Sequence, residues 1–205
     1  MSVPVTEVTH EGARVGVLGG TFDPIHHGHL AAASEVCAAL ELDQVLIVPA
    51  LQQPFKEPHD AASPEHRLEM CRLAVAGDSR MDVSDVDIVR GGVTYTVDTL
   101  RDLNARHAHV QWHFIAGADA LARLNEWKDA DALPGLARFV GVTRAGHSFP
   151  DVEVPHALVE VPALEVSSTD VRRRVRVGAP IRYLVPQAVA DYMNDNDLYT
   201  GGNDD

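Results

Sequence analysis

The sequence predicts an α/β fold, a doubly wound parallel sheet with helices on both faces, formed as a single domain. Apolar, β-branched runs such as residues 45–48 alternate with helical stripes such as Leu68, Cys71 and Val75, the pattern of a buried parallel sheet. The chain has 205 residues, 45% of them hydrophobic, which suffices for one sizeable core. No repeat or linker divides it. We therefore expect one domain over residues 1–205, with a core over residues 14–195 and a frayed tail over residues 200–205.

The chain begins with a predicted strand, a turn and a helix. Val15, Val17 and Leu18 indicate a short buried strand, which Gly19 and Gly20 end. A helix follows, because apolar residues then recur at helical spacing: Leu30, Ala33, Cys37 and Leu40. Residues 26–29 are thus expected in the turn and the first coil of that helix.

The later elements repeat this alternation. Further strands are predicted over residues 45–48, within 83–89, over 112–116 and over 139–142. Ser63, Pro64 and Glu65 begin one helix, and Gly91 and Gly92 turn the chain into another. Apolar stripes mark the helix after this turn and the last helix of the chain: Val97, Leu100, Leu103, Val185, Val189 and Tyr192.

Residues 19–30, GGTFDPIHHGHL, carry the strongest chemical signal. His26 and His29 are three positions apart and share one helical face, and Gly28 between them leaves room for close approach. Unpaired backbone N–H groups and the positive end of the helix dipole lie at the same place. A lone His at a helix start is usually only a cap. Two imidazoles around a glycine in this setting predict binding of phosphate oxygens.

A second helix start, at residues 166–172, combines hydroxyl groups with arginine. Ser167, Ser168 and Thr169 are good N-cap residues, and by propensity alone they indicate an ordinary cap. The arginines beside them are gathered in an otherwise acidic chain: Arg172, Arg173, Arg174, Arg176 and Arg182. Arg172 and Arg176 can share a helical face, and we expect the others to be solvated. This gathering of positive charge beside hydroxyls favours a binding role over an ordinary cap.

Charge and cysteine content exclude several classes of function. The net charge of −13 argues against general affinity for nucleic acid or for an anionic membrane. The sequence shows no apolar stretch of membrane-spanning length and no signal peptide, so we expect a cytoplasmic protein. Cys37 and Cys71 lie on apolar stripes and are expected to be buried free thiols. A homo-oligomer is possible, and the sequence does not decide the oligomeric state.

The two helix starts resemble the H-x-G-H and S-S-T-x-x-R motifs of the nucleotidyltransferase superfamily, whose members join a nucleotidyl group to a phosphate acceptor and release pyrophosphate. The resemblance implies a Rossmann-like sheet with the nucleotide at the carboxyl ends of its strands. It also implies catalytic roles for His26, His29 and Arg172. The ATP contacts that we expect come from these residues: Gly19, Gly20, Thr21, Phe22, His26, His29, Gly117, Asp119, Ser167, Ser168, Thr169 and Arg172.

Gly117 and Asp119 enter this set because they follow the predicted strand over residues 112–116. A carboxylate just beyond a strand end can accept hydrogen bonds from ribose hydroxyls. Asp119 as a cap for a helix over residues 120–124 is an equally good interpretation, and both roles can hold at once.

The middle of the chain resembles bacterial nicotinate-nucleotide adenylyltransferases. The resemblance rests on GADAL at residues 117–121, on TYTVDTL at residues 94–100, and on Leu124, Trp127 and Leu133. In that family the Trp stacks on the pyridine ring, for which a partly exposed indole is suited, although an ordinary core Trp is the alternative. The acceptor contacts implied are Lys56, Thr94, Tyr95, Trp127 and Arg144. The chain departs from the family at residues 54–56, where it has Pro-Phe-Lys instead of Pro-His-Lys.

The resemblance implies that ATP and nicotinate mononucleotide are joined into nicotinate adenine dinucleotide, with release of pyrophosphate, in NAD biosynthesis. Mg²⁺ is expected to bind together with the ATP. The sequence shows no cluster of carboxylates that would indicate a dedicated metal site on the protein. The alternatives are an adenylyltransferase for phosphopantetheine, a cytidylyltransferase for a phospho-alcohol, and a nucleotide sensor without catalysis. A class I aminoacyl-tRNA synthetase can also carry H-x-G-H, but this chain is too short and too acidic for one.

Overall fold

Six parallel strands form the sheet at the centre of the protein. The computed structural model describes residues 11–52, 61–144 and 156–201. The strands are β1 (Arg14–Gly20), β2 (Gln44–Pro49), β3 (Met81–Val83), β4 (Gln111–Gly117), β5 (Arg138–Arg144) and β6 (His156–Val161). Their order across the sheet is β3-β2-β1-β4-β5-β6, and each neighbouring pair is parallel. This is the strand order of a Rossmann-like doubly wound sheet, which confirms the predicted fold class.

Helices cover both faces of this sheet. They are α1 (His27–Ala39), α2 (Pro64–Val75), α3 (Val86–Arg90), α4 (Thr96–Arg106), α5 (Ala118–Leu121), α6 (Ser168–Arg176) and α7 (Gln187–Asp195), with 3₁₀ turns at Leu124–Glu126 and Ala130–Gly135. One face packs against α1, α2, α6 and α7, and the other against α3, α4, α5 and the 3₁₀ turns. Within the described residues, every helix is too short or too polar to cross a membrane.

The central strand β1 contributes to both layers of the core. Val15 and Val17 belong to the layer under α4, and Leu18 belongs to the layer under α1. Gly16 lies where a side chain has no space, because a Cβ atom there would be 3.0 Å from methyl groups of Ile115 and Val45. Burial on both faces explains why this strand is a nearly continuous apolar run.

Two helix starts agree closely with the sequence. Ser63 caps α2, where its hydroxyl accepts a hydrogen bond from the His66 N–H at 3.3 Å. Ser167 caps α6 by accepting from the Asp170 N–H at 3.1 Å. Each serine satisfies one of the donors that a helix leaves unpaired at its first turn. The expectation of buried free thiols is also confirmed for both cysteines.

The prediction of a strand within residues 83–89 is wrong for most of that segment. β3 ends at Val83, and α3 follows over Val86–Arg90. The apolar, β-branched residues of this segment suit a strand, but a polar contact favours the helix. Asp87 is buried, and its carboxylate accepts a 2.7 Å hydrogen bond from the Thr99 hydroxyl on α4. The edge strand β6 was not predicted at all.

Candidate functional site

A cavity of about 1460 Å³ lies at the carboxyl ends of the strands. It is lined by the connections that follow β1, β2, β4 and β6, which is where doubly wound sheets bind ligands. The volume exceeds that of a typical site for one small molecule, so the cavity has room for two substrates. Nine of the residues predicted to contact ATP line it: Thr21, His26, His29, Gly117, Asp119, Ser167, Ser168, Thr169 and Arg172.

The two imidazoles of the first motif are stacked at the start of α1. The rings of His26 and His29 have centroids 3.6 Å apart and an interplanar angle of 16°. His26 is the N-cap residue of α1, and its backbone N–H donates to His29 Nδ1 at 3.3 Å. Gly28 is required between them, because a Cβ atom there would lie 3.1 Å from the His26 ring. The spacing of the motif therefore produces one compact pair of rings.

The hydrogen bond from His26 determines the chemical form of His29. Because Nδ1 accepts, a neutral His29 ring carries its proton on Nε2. Burial, together with the neighbouring His26, lowers the pKa of His29 from 6.5 to about 3. The ring is therefore neutral near pH 7, and it offers the cavity a hydrogen-bond donor without a full positive charge.

The loop between β1 and α1 places a hydroxyl at the cavity and an aromatic ring beneath it. Phe22 is buried, has a φ angle of 51°, and contacts the His29 ring edge-on at 5.0 Å. Gly20 accommodates this ring, since a Cβ atom at that position would be 2.9 Å from Phe22. Gly19, Gly20 and Phe22 thus shape the loop without lining the cavity. Thr21 does line it, and its hydroxyl has no hydrogen-bond partner among the described residues.

Asp23 joins the two phosphate motifs. Its backbone oxygen accepts a 2.6 Å hydrogen bond from Arg172 Nη1, which also lies 3.6 Å from the Asp23 carboxylate. The carboxylate accepts from the Ala62 N–H at 3.0 Å and from the Tyr199 hydroxyl at 2.5 Å. Burial and the nearby Asp23 raise the pKa of Tyr199, so its hydroxyl remains a donor. The hydrogen bond between Arg172 and Asp23 thus joins the helix that carries the arginine to the loop that carries the two histidines, at one cavity.

The three hydroxyls of the second motif have separate partners. Ser167 is occupied as the cap of α6, whereas the Ser168 hydroxyl donates to the Pro24 backbone oxygen at 2.9 Å. The Thr169 hydroxyl is 3.4 Å from Arg172 Nη2. Ser168 thus adds a second direct connection between the motifs. Outside the cavity, Arg173 and Arg174, which were expected to be solvated, pair with Asp170 on the surface of α6.

Arg67 is a cavity residue that the sequence analysis missed. It is 3% exposed, and its guanidinium donates to four backbone oxygens rather than to solvent. Burial lowers the pKa of Arg67, and the charge of Asp23 opposes this effect. The available signal was its position on α2, since Arg67 shares a face with the buried Met70 and Cys71.

Gly117, the last residue of β4, and Asp119, in the helix that follows, contribute to the cavity. Both are exposed, and Asp119 lies inside the short helix α5 rather than at its cap. The N-cap residue is Gly117, so the interpretation of Asp119 as a helix cap is wrong. Its carboxylate lies where the strand-end rule places a ribose ligand.

Three of the predicted acceptor residues, Thr94, Tyr95 and Trp127, are not among the described residues that line the cavity. Thr94 is hydrogen-bonded to the segment after β2, because its hydroxyl accepts from the Leu51 N–H at 3.1 Å. Trp127 is half-buried and contacts Phe114 and Phe139 edge-on, with ring centroids 6.0 and 6.4 Å away. Lys128 lies over the Tyr95 ring at 4.6 Å. Lys56 and the Arg144 side chain are outside the described residues.

Comparison with known sequences identifies the class that this fold and site define. The sequence model of the cytidylyltransferase-like family matches residues 17–174, which include both phosphate motifs. The protein therefore belongs to the cytidylyltransferase-like nucleotidyltransferases.

Curated relatives identify a narrower family within this class. A "Probable nicotinate-nucleotide adenylyltransferase" of Streptomyces coelicolor is 52% identical over 188 residues, which are 90% of this chain and 100% of the relative. One of Saccharopolyspora erythraea is 49% identical over 195 residues, 93% of this chain and 92% of the relative. Within its class, the chain is a member of the nicotinate-nucleotide adenylyltransferase family.

Solved structures support the same fold. A Plasmodium falciparum nicotinic acid mononucleotide adenylyltransferase complexed with NaAD has a TM-score of 0.74 and 19% identity, over 91% of this chain and 97% of that one. The same enzyme complexed with APC gives a TM-score of 0.71 at 18% identity, over 93% and 98% of the two chains. The fold is therefore retained where most of the sequence has changed.

Proposed function

We propose that this protein transfers the adenylyl group of ATP to nicotinate mononucleotide, and so forms nicotinate adenine dinucleotide and pyrophosphate. The observation that carries the proposal is the convergence of His26, His29 and Arg172 on one cavity, in a chain of this family. An oxygen of the acceptor phosphate attacks the α-phosphorus of ATP. The bond from that phosphorus to the bridging oxygen of the β-phosphate breaks, and pyrophosphate leaves with its electron pair.

This reaction needs alignment and neutralisation of charge more than it needs a base. The acceptor phosphate is already an anion, so no side chain has to remove a proton from it. His29 Nε2–H is suited to donate to the α-phosphate, and the start of α1 adds the helix dipole, while the backbone N–H groups of His26, His27 and His29 are occupied within the protein. The unpartnered Thr21 hydroxyl provides another donor on the same side of the cavity.

The start of α6 is suited to the β- and γ-phosphates that leave as pyrophosphate. Arg172 is a permanent cation, which its hydrogen bond to the Asp23 backbone oxygen and its 3.6 Å contact with the Asp23 carboxylate hold in place. Ser168 and Thr169 add hydroxyls beside it, and Asp119 is placed to accept from the ribose. These roles divide the nucleotide between the two helix starts and the end of β4.

Mg²⁺ fits this cavity as a companion of ATP. The Asp23 carboxylate is occupied by Tyr199 and Ala62, whereas Asp119 is exposed at the cavity. Among the described residues, no group of three His, Cys, Asp or Glu is placed to hold a metal ion. When bound, the cation would neutralise phosphate charge while keeping most of its water ligands, and Asp119 is the exposed carboxylate of the described lining that could hold it.

The acceptor belongs on the side of the cavity formed by the chain after β2. Thr94 lies next to the start of α4, where backbone N–H groups suit the carboxylate of nicotinate. The half-buried Trp127 provides an aromatic surface for the pyridine ring, and Lys56 and Arg144 provide cations for the acceptor phosphate in this proposal. Replacement of Thr94 by Val should then reduce the preference for nicotinate over nicotinamide mononucleotide, and an unchanged ratio would contradict this placement.

The test is an acceptor panel with the purified full-length protein. ATP, Mg²⁺ and either nicotinate mononucleotide, nicotinamide mononucleotide, phosphopantetheine or a phospho-alcohol are mixed, and pyrophosphate release is followed. We expect the highest kcat/KM with nicotinate mononucleotide. Turnover with phosphopantetheine alone would contradict the acceptor, and ATP binding without pyrophosphate release from any acceptor would favour the nucleotide sensor. The same panel with CTP in place of ATP tests the cytidylyltransferase alternative.

A further inference from the structure

Arg67 connects three segments that meet at the cavity. Its Nη1 donates to the backbone oxygens of Thr21 and Ala50, both at 2.7 Å. Its Nη2 donates to the Leu51 oxygen at 3.0 Å, and its Nε to the Ala62 oxygen at 3.2 Å. One side chain thus holds the loop after β1, the end of β2 and the residue before the cap of α2.

The contacts of Arg67 differ from those of an ordinary buried arginine. Within the described segments, its hydrogen bonds go to backbone carbonyls, and Asp23 acts on it through its charge without a hydrogen bond between the two side chains. Burial of the guanidinium costs free energy, which this charge offsets only in part. The planar fork of arginine, with five donors in fixed directions, is the side chain that can reach all four oxygens at once.

The segments held by Arg67 lie on the two sides of the proposed reaction. Thr21 belongs to the loop that presents donors to ATP, whereas Leu51 and Gln52 line the part of the cavity assigned to the acceptor. Leu51 is fixed from both sides, because its oxygen accepts from Arg67 and its N–H donates to the Thr94 hydroxyl. These two hydrogen bonds, together with the bond from the Ala50 N–H to the Gly20 oxygen at 2.8 Å, hold the acceptor segment relative to the phosphate loop.

We propose that Arg67 is a positioning residue for adenylyl transfer, which sets the separation between the phosphate loop at Thr21 and the acceptor segment at Leu51. This inference rests on the proposed function. An enzyme that works by aligning two substrates is sensitive to displacements of about 1 Å, which can cost on the order of 100-fold in rate. Arg67 itself does not have to touch either substrate for this effect.

The first experiment compares Arg67→Lys with Arg72→Lys in the full-length protein. Lysine keeps the charge but cannot bond four separate oxygens. We expect Arg67→Lys to lower kcat by about 10- to 100-fold, while the Kd for ATP, measured by calorimetry, changes by less than about threefold. Arg72 is the matched control, because it is a half-exposed residue of the same helix that pairs with Glu69. Its substitution should leave kcat and Kd unchanged.

The second experiment separates alignment from folding. In Arg67→Ala, methylguanidinium at concentrations that leave the wild-type protein unaffected should restore part of kcat in a saturable manner. Thr94→Val removes the other hydrogen bond to Leu51. It should lower kcat for the acceptor reaction even if the arginine variants do not fold.

The outcomes distinguish this inference from the proposed function. A wild-type protein without adenylyl transfer would contradict the proposed function itself. An active wild-type protein with normal kcat in Arg67→Lys would overturn the positioning role, as would a kcat loss that only follows the loss of ATP affinity or of folded protein. If the arginine variants do not fold, a normal kcat in Thr94→Val would overturn it.

Discussion

Replacement of His29 by asparagine should separate the two hydrogen bonds of this ring. Its Nδ1 accepts from the His26 N–H at 3.3 Å, and its Nε2–H is the donor that remains for a phosphate oxygen. An asparagine side chain can place its amide oxygen near the position of Nδ1, but it does not extend to the position of Nε2. The variant should therefore keep the start of α1 and lose the donor to the α-phosphate.

The expected magnitude follows from the donor that is lost. Removal of one preorganised donor to the developing charge costs about 3 kcal/mol of barrier. Since 1.36 kcal/mol is about a tenfold change in rate, kcat should fall by roughly 150-fold. Stability should change little in His29→Asn, whereas His29→Ala should in addition lose the capping contact, worth about 1 kcal/mol.

The assay is pyrophosphate release at saturating ATP and nicotinate mononucleotide, with urea unfolding measured in parallel. His29→Gln is the matched variant, because its amide nitrogen extends to the position of Nε2, and it should recover about tenfold of the rate lost in His29→Asn. A folded His29→Asn protein with kcat within about threefold of wild type would refute a catalytic role for this ring.

Three further predictions follow from the same structure. Arg172→Gln should lower kcat by about 100-fold in the pyrophosphate assay, whereas Arg173→Gln, on the exposed side of α6, should leave kcat normal. Gly16→Ala should reduce the free energy of unfolding in urea by about 1–3 kcal/mol, because its Cβ would meet three side chains at 3.0–3.1 Å, while Gly135→Ala meets nothing within 4 Å and should be harmless. The lowered pKa of His29 means that the unfolded chain binds a proton between about pH 3 and pH 6.5 that the folded chain does not. The free energy of unfolding should therefore decrease as the pH is lowered through this window. Urea unfolding at pH 7.5 and pH 5 should show a smaller fall in His29→Asn, and an equal fall would contradict this origin.

The sequence predicted best where one chemical pattern coincides with one element boundary. The H-x-G-H segment was expected at the start of a helix after a buried strand, and α1 begins at His27. The pairing of this loop with Arg172, 149 positions beyond Asp23, was predicted only from the shared chemistry of phosphate binding.

Other features depend on contacts that the local sequence does not show. In α3, Asp87 accepts a hydrogen bond from Thr99, which lies 12 positions further along the chain. The local sequence shows only an apolar run, and this run suggested a strand. A charged residue such as Arg67 is expected at the surface from the sequence alone. Its burial depends on carbonyl oxygens that three segments of the folded chain place around it. Trp127 was expected to be partly exposed beside polar neighbours, and its packing against Phe114 and Phe139 was not apparent from the sequence.

The hydrogen bond between Tyr199 and Asp23 has a consequence during protein synthesis. A ribosome makes the loop after β1 long before it makes Tyr199, which lies 176 positions beyond Asp23, so a nascent chain can complete its sheet before this contact exists. The loop then receives this restraint only when the segment around Tyr199 has emerged and docked. Nascent chains that do not yet include Tyr199 would accordingly hold nucleotide loosely.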